Sequence, residues 1–233
     1  MRCLCISDLH GSREQLDRLE AMLASADLVL IAGDFTDFGG GPEMLDMLDG
    51  LDHHLDTVAA VAGNCDRPAA RAELEAAGIS VDGKPKVFGA GEERIAVLGS
   101  GGGLLHTGLT PFERREQELS SAFERALGGL DALGQLRPAL VALTHTPPWD
   151  TAADLRRTSH VGSRGLRHIL DALSPALWVC GHIHEGRSAE RVGETLLVNP
   201  GSLRDGFYAT VNLDFRKGRP MAVAVLESLG GVC

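Results

Sequence analysis

Short apolar runs alternate along the chain with longer stretches in which apolar residues recur every three or four positions. The run RCLCIS (2–7) predicts a strand, and REQLDRLEAMLAS (13–25) predicts a helix, with Ser12 as N-cap and Gln15 completing a capping box. DLVLIAG (27–33) reads as a buried strand, and PEMLDMLDGL (42–51) as a helix opened by proline. TVAAVAG (57–63) predicts a third strand and AARAELEAAG (69–78) a helix ended by glycine. This β-α-β-α-β-α run predicts a parallel sheet at the start of the fold.

After residue 85 the rhythm changes. KVFGAG (86–91) and RIAVLGS (94–100) are strands with little between them, a helix is expected from Pro111 to Leu127, and ALVALTH (139–145) is another strand. Residues 146–163 are irregular and open with prolines, which suits a loop over a site. A helix over Leu166–Leu173 leads to the strand ALWVCG (176–181), and short strands including TLLVNPG (195–201) and FYATVNL (207–213) close the chain. No repeat, low-complexity segment or linker interrupts it. The expectation is one α/β domain over residues 1–233, a β-rich core flanked by helices.

Composition narrows the function. The 233 residues can bury a substantial core, and a net charge of −10 opposes broad binding to the phosphates of a long nucleic acid, although it leaves room for a small phosphate ester at a local positive centre. No apolar run approaches the ~20 residues that span a bilayer, and MRCLCISDLHG does not resemble a signal peptide. The five cysteines, odd in number and irregular in spacing, read as free thiols of a reducing compartment, so a cytoplasmic protein is expected. Self-association into a homo-oligomer is left open.

The chemistry gathers where strands end. Asp8-Leu9-His10 follows the first strand, Gly33-Asp34 the second (with Asp37 further on), and Gly63-Asn64-Cys65-Asp66 the third; His145 and Gly181-His182-Ile183-His184 follow two later ones. In extended backbone residues i and i+2 point the same way, so Asp8 with His10, and His182 with His184, are expected to face one point while Leu9 and Ile183 pack inward. Imidazole and carboxylate donors suit divalent zinc, manganese, iron, cobalt or nickel. Four His, two Asp and one Asn exceed one tetrahedral ion and suit two ions, with Asp34 as the shared carboxylate. GSGGG (99–103) does not complete a dinucleotide fingerprint, because Leu104 stands at its last place. NPGS (199–202) reads as a strand-end turn in which Asn199 supports the ligands, and His53, His54 and His168 read as surface residues.

The ordered set DLH, GDFTD, GNCD, TH and GHIH, over residues 8–184, resembles the calcineurin-like metallophosphoesterase superfamily. The resemblance implies a two-sheet β-sandwich flanked by helices, with two divalent metal ions at the strand ends. Asp8, His10, Asp34 and His184 would hold one ion, and Asp34, Asn64, His145 and His182 the other. It also implies in-line attack by a metal-bridging hydroxide on a small-molecule phosphoester. Where the superfamily usually has GNH, with the histidine protonating the leaving oxygen, this chain has Cys65 followed by Asp66. GNCD resembles small bacterial and archaeal members, often active on phosphodiesters; a phosphomonoester is the alternative. Asn64, Cys65 and Asp66 are thus the candidate catalytic residues, with Cys65 either a proton donor or a filler of space. His160 and Arg156, in the irregular segment with Arg157, are candidates for holding substrate oxygens. A non-catalytic scaffold of the same fold would show lost ligands, and all seven positions are filled here.

Overall fold

Cys3 and Cys5 face one side of the first strand and Leu4 and Ile6 the other, and all four are buried, so the strand needs cover on both faces. The computed structural model, which describes residues 1–132, 139–215 and 220–230, supplies that cover with a second sheet on one side and helices on the other. In chain order the first half contains β1 (Arg2–Ile6), α1 (Arg13–Asp17), α2 (Glu20–Ser25), β2 (Leu28–Ile31), α3 (Gly41–Asp49), β3 (Val58–Ala60) and α4 (Pro68–Ala76). Next come β4 (Lys86–Phe88), β5 (Ile95–Ser100), β6 (Gly103–Leu104), β7 (Glu113–Arg114), α5 (Glu116–Ala132) and β8 (Ala139–Thr144). The remainder holds β9 (Leu155–Arg156), β10 (Ser159–His160), α6 (Arg164–Leu173), β11 (Leu177–Val179), β12 (Ser188–Val192), β13 (Thr195–Asn199), β14 (Phe207–Asp214) and β15 (Met221–Ser228).

One sheet has the order β15-β14-β1-β2-β3, the other β12-β13-β11-β8-β5-β4. β1, β2 and β3 run parallel, as expected from the opening β-α rhythm, but β14 and β15 add antiparallel to the other side of β1. In the second sheet β5, β8, β11 and β13 are parallel, with β4 and β12 as antiparallel edges. The central core lies between the sheets and takes alternate residues of both: Cys3, Cys5, Leu28, Leu30 and Val211 meet Val97, Val141, Leu143, Val179 and Val198. The outer face of the first sheet, with Leu4, Ile6 and Ile31, packs on Leu16, Leu23, Met44 and Leu74 of α1 to α4. Leu98, Trp178 and Leu197 of the second sheet pack on Leu119, Phe123, Leu166 and Leu170 of α5 and α6. The result is the expected helix–sheet–sheet–helix sandwich.

Local details depart from the expected pattern. Residues 13–25 form two helices rather than one, because the chain tightens at Arg18 and Leu19, where Leu19 N–H donates to Leu16 O (2.9 Å) and Met22 N–H to Leu19 O (2.8 Å). The Ser12 hydroxyl makes no capping bond: Ser12 N–H turns back to Leu9 O, and the Gln15 carboxamide oxygen accepts from Arg18 instead of closing a box. The helix expected from Pro111 starts at Glu116, since Glu113 and Arg114 pair as a short strand with Gly103 and Leu104. Residues 155–160 form a small hairpin inside the segment expected to be irregular. Cys3, Cys5, Cys65 and Cys180 are free and buried, whereas Cys233 lies outside the described residues.

The layering makes a direct prediction. Leu30→Ala, at the fully buried plane between the sheets, is expected to cost about 2–5 kcal/mol in urea unfolding. Val225→Ala, on the exposed face of β15, is expected to stay within about 0.5 kcal/mol.

Candidate functional site

The chain leaves each central strand at its C-terminal end, and there the backbone turns sharply. Asp8, His10, Asp34 and His182 all have left-handed backbone, with φ of 55°, 46°, 52° and 68°. That conformation is rare for residues other than glycine, least so for Asp, Asn and His. The expected burial of Leu9 and Ile183 holds, but not the expected extended geometry. Asp8 and His10 converge through a left-handed turn, and His184 opens a 3-10 turn over His184–Gly186. Such non-glycine conformations cost on the order of 1–3 kcal/mol each and persist where surrounding bonds over-determine them. Here Asp8 N–H donates to Gly33 O (3.0 Å), His10 N–H to Asp34 O (2.9 Å), and His182 N–H to the Asp8 carboxylate (3.1 Å).

Two groups of side chains result, with Asp34 between them. His10 and His184 meet edge-to-face at 5.7 Å between ring centroids, and Asp8 lies 3.4 Å from His184 Nε2. His145 and His182 meet at 4.9 Å, and Asn64 Oδ1 lies 2.9 Å from His145 Nε2. Asp34 Oδ2 lies 3.8 Å from His10 Nε2 and 3.5 Å from His145 Nε2. Among the described residues, donor atoms within 4.8 Å of one another form three sets: Asp8–His10–His184, Asp8–Asp34–His145 and His10–Asp34–Cys65. His145 Nδ1 sits 2.7 Å from Ala32 O, which places a ring proton there and turns Nε2 toward Asn64 Oδ1 and Asp34 Oδ2. A proton on Nε2 satisfies both oxygens, and a cation can take that proton's place. The oxygen and nitrogen donor set fits divalent ions.

The electrostatics follow from this crowding. Burial works against the charge on Asp8 and Asp34, yet the facing imidazoles hold both carboxyls below their usual range. Burial likewise works against protonated His145, but Asp34 outweighs it and pushes the group up to about 9. Burial, with His145 beside it, pulls His182 down to about 4. Burial and the charges of Asp34 and Asp66 drive the Cys65 thiol well above its ordinary value, so unaided it is no thiolate nucleophile.

The surrounding residues hold this arrangement. A methyl group on Gly63 would overlap the Asp34 carboxylate of the neighbouring loop in the same sheet, and one on Gly181 would overlap Ser7 and Asp8 of the other sheet, so only glycine lets these loops close on each other. Asp66, expected among the catalytic residues, belongs to this scaffold: it is fully buried, and its carboxylate accepts from Phe35 N (3.3 Å), Thr36 N (2.9 Å), Thr36 Oγ1 (2.9 Å) and Gly63 N (2.9 Å). Those bonds occupy its oxygens and clamp the loop carrying Asp34 to the one carrying Asn64. Asn199 likewise ties Ile183 O (2.9 Å) and Gly201 N (3.0 Å), which fixes the backbone between His182 and His184. Cys65 N–H donates to Asp34 Oδ1 (2.8 Å), and its sulfur accepts from Asn64 Nδ2 (3.4 Å).

The substrate candidates fare differently. His160 turns Nδ1 to buried Asp154 (2.6 Å) and Nε2 toward Asp150 (3.6 Å), so its ring is engaged inside its own loop. Arg156 is exposed on the hairpin that packs beside the His184–Gly186 turn. Sequence reasoning passed over Arg204. Its N–H donates to Asp8 O (3.3 Å), and its guanidinium, half exposed, lies 4.0 Å from Asp37, itself 3.9 Å from His10. The available signal was its position two residues after NPGS, whose Ser202 hydroxyl donates to Asp8 O (3.1 Å).

Comparison with known proteins gives consistent matches. A family model described as calcineurin-like phosphoesterase matches residues 1–186. A relative from Methanocaldococcus jannaschii, the uncharacterized protein MJ1162, is 32% identical over 205 residues, which is 86% of this chain and 88% of the relative. Among solved structures, TT1561 of Thermus thermophilus superposes with a TM-score of 0.73 at 19% identity, covering 98% of this chain and 99% of that one. A dimetal phosphatase from Danio rerio superposes at 0.58 and 14% identity, covering 99% of each chain. These last two likenesses concern the fold.

If Asp66 is a clamp, removing its charge must loosen the loops and not only slow a reaction. Asp66→Asn, which turns an acceptor into an NH₂ group facing N–H donors, is expected to lower stability by about 1–3 kcal/mol in denaturant unfolding. An unchanged midpoint together with lost activity would place Asp66 in the chemistry instead.

Proposed function

From the premise that this chain belongs to the calcineurin-like phosphoesterase family, and so is a metal-dependent phosphoester hydrolase, we propose that it hydrolyses a small phosphodiester. The observation that carries the site assignment is the convergence of Asp8, His10 and His184 on one side and Asn64, His145 and His182 on the other, with Asp34 between them. Asp8, His10, Asp34 and His184 would hold one divalent ion, and Asp34, Asn64, His145 and His182 the second. When bound, such ions supply Lewis acidity toward phosphoryl oxygens and bring the pKa of water from 15.7 to about 7.

The chain's own residues do the rest. Ala32 O fixes the His145 tautomer so that Nε2 faces the site. Asp34, its carboxylate kept ionised, holds both halves of the centre at one spacing. Asn64 presents a neutral oxygen where a third carboxylate would add repulsion. At the rim Asp37 and Asp205 bring negative charge close to His10 and His184, with Arg204 beside Asp37. A diester monoanion meets less repulsion there than a monoester dianion, which favours the diester reading. Arg204, whose half-exposed guanidinium lies 4.0 Å from Asp37, is placed to take a non-bridging oxygen. The four free, buried cysteines suit a reducing compartment, and we infer a cytoplasmic setting; among the described residues no helix is long and apolar enough to cross a membrane.

Two predictions test this reading. Asp34→Asn is expected to lose at least about 10²-fold in kcat/KM on bis(p-nitrophenyl) phosphate and to retain less than the native two ions per chain, whereas Asp37→Asn keeps both ions. A panel of aryl mono- and diesters after reconstitution with manganese, zinc, iron, cobalt or nickel should favour diesters. Clear preference for monoesters would overturn that substrate class.

A third prediction concerns the leaving group. With no proton delivered from Cys65, the leaving oxygen departs as an anion, so rates should fall steeply as leaving-group pKa rises. General acid catalysis is typically worth 10²–10⁴-fold, so Cys65→His is expected to help alkyl esters more than activated aryl esters and to flatten that slope. The check is kcat/KM over a leaving-group series, with metal content measured in both proteins.

A further inference from the structure

Cys65 has so far appeared only as a missing proton donor, but the geometry gives its sulfur a place of its own. The Cys65 Sγ, a His10 ring nitrogen and an Asp34 carboxylate oxygen all lie within 4.8 Å of one another, the span of donors around one ion. The side chain is held there from both ends. Cys65 N–H is bonded to Asp34 Oδ1 (2.8 Å), which keeps the residue alongside that carboxylate, and Asn64 Nδ2 donates to the sulfur (3.4 Å). Burial does not explain the residue away. Cys3, Cys5 and Cys180 are fully inaccessible strand or strand-end residues in the packed cores, while Cys65 keeps 7% exposure at the turn that carries Asn64. His10 turns its Nε2 to the same place, 3.8 Å from Asp34 Oδ2 and 4.0 Å from Asp8 Oδ1, while its Nδ1 faces Asp37.

We propose that Cys65 is a sulfur ligand of the ion held by Asp8, His10, Asp34 and His184, and that it biases that position toward thiophilic zinc, cobalt or iron rather than manganese. The proposal rests on the dinuclear reading above and adds a donor to it. Metal and sulfur form one bond, and the thiol proton leaves to bulk water, so no oxidant or further reactant is required. Thiolate is a soft donor that selects zinc and iron over the harder manganese, more sharply than a histidine in the same turn would. The role also accounts for a thiol in place of a proton donor, because a metal-bound thiolate has no proton to give.

Cobalt(II) titration of the metal-free native protein, followed by absorption and by elemental analysis of bound cobalt, tests this directly. The expected result is a near-ultraviolet thiolate-to-cobalt charge-transfer band that saturates as the site fills. Cys65→Ser is expected to bind cobalt without the band and to hold zinc about tenfold or more weakly by chelator competition, while its manganese affinity moves less than about twofold. Native protein that binds two cobalt ions per chain with no charge-transfer band overturns the proposal and leaves the dinuclear reading intact. Native protein that binds no cobalt, zinc or manganese overturns both. Should Cys65→Ser not fold, cadmium-113 resonance on the native protein decides the matter: a thiolate-shifted signal supports ligation, and a signal in the oxygen–nitrogen range refutes it.

Discussion

Everything at this site depends on keeping two buried carboxylates, Asp8 and Asp34, ionised within a few ångströms of each other. Asp8, Asp34 and His145 bring donor atoms within 4.8 Å, and both acids are almost wholly shielded from water. Like charges in so dry a place repel strongly and lack hydration, so compensation is required from every direction. The fold provides it with backbone N–H groups from Cys65 and His182, with imidazoles from both sheets, and with the donor geometry of a cation site. The two sheets serve this end: parallel strands in each place their C-terminal ends side by side, so loops separated by more than a hundred residues can face one another.

Much of this was legible in the chain. Apolar runs marked the central strands because both faces of those strands are buried, and polar residues directly after them marked the site because strand ends are where backbone and side chains are free to turn inward. The left-handed turns were not legible. Asp and His residues tolerate positive φ without requiring it, so only the meeting of loops from two sheets reveals that Asp8, His10, Asp34 and His182 adopt it. The role of Asp66 was hidden for a similar reason. An acid beside Asn64 and Cys65 looks chemical until the donors of Phe35, Thr36 and Gly63 are seen to fill its oxygens. The break between α1 and α2 escaped as well, because Leu16, Leu19 and Leu23 keep helical spacing while tertiary packing sets the local geometry.

His145 shows how burial and chemistry are joined. It is completely enclosed, its Nδ1 committed to Ala32 in the other sheet and its Nε2 to the centre. A residue so placed joins the two sheets and is also a candidate donor, so packing and site geometry cannot vary independently around it. The same holds for Gly63 and Gly181, whose missing side chains are a requirement of close approach.

The strand order of the first sheet reaches further than architecture. β1 lies between β2 and β14, and the Ser202 hydroxyl and Arg204 N–H close over Asp8 O, contacts that span nearly two hundred residues of chain. As the polypeptide leaves the ribosome, its first strand therefore waits for almost the last one before either face of the sheet is complete. Non-local pairing of this kind slows folding and leaves strand edges open in the interval. Nascent chains should spend that interval with β1 and the loop carrying Asp8 and His10 unsealed, a stage at which a chaperone, or a metal ion captured early, has something to hold.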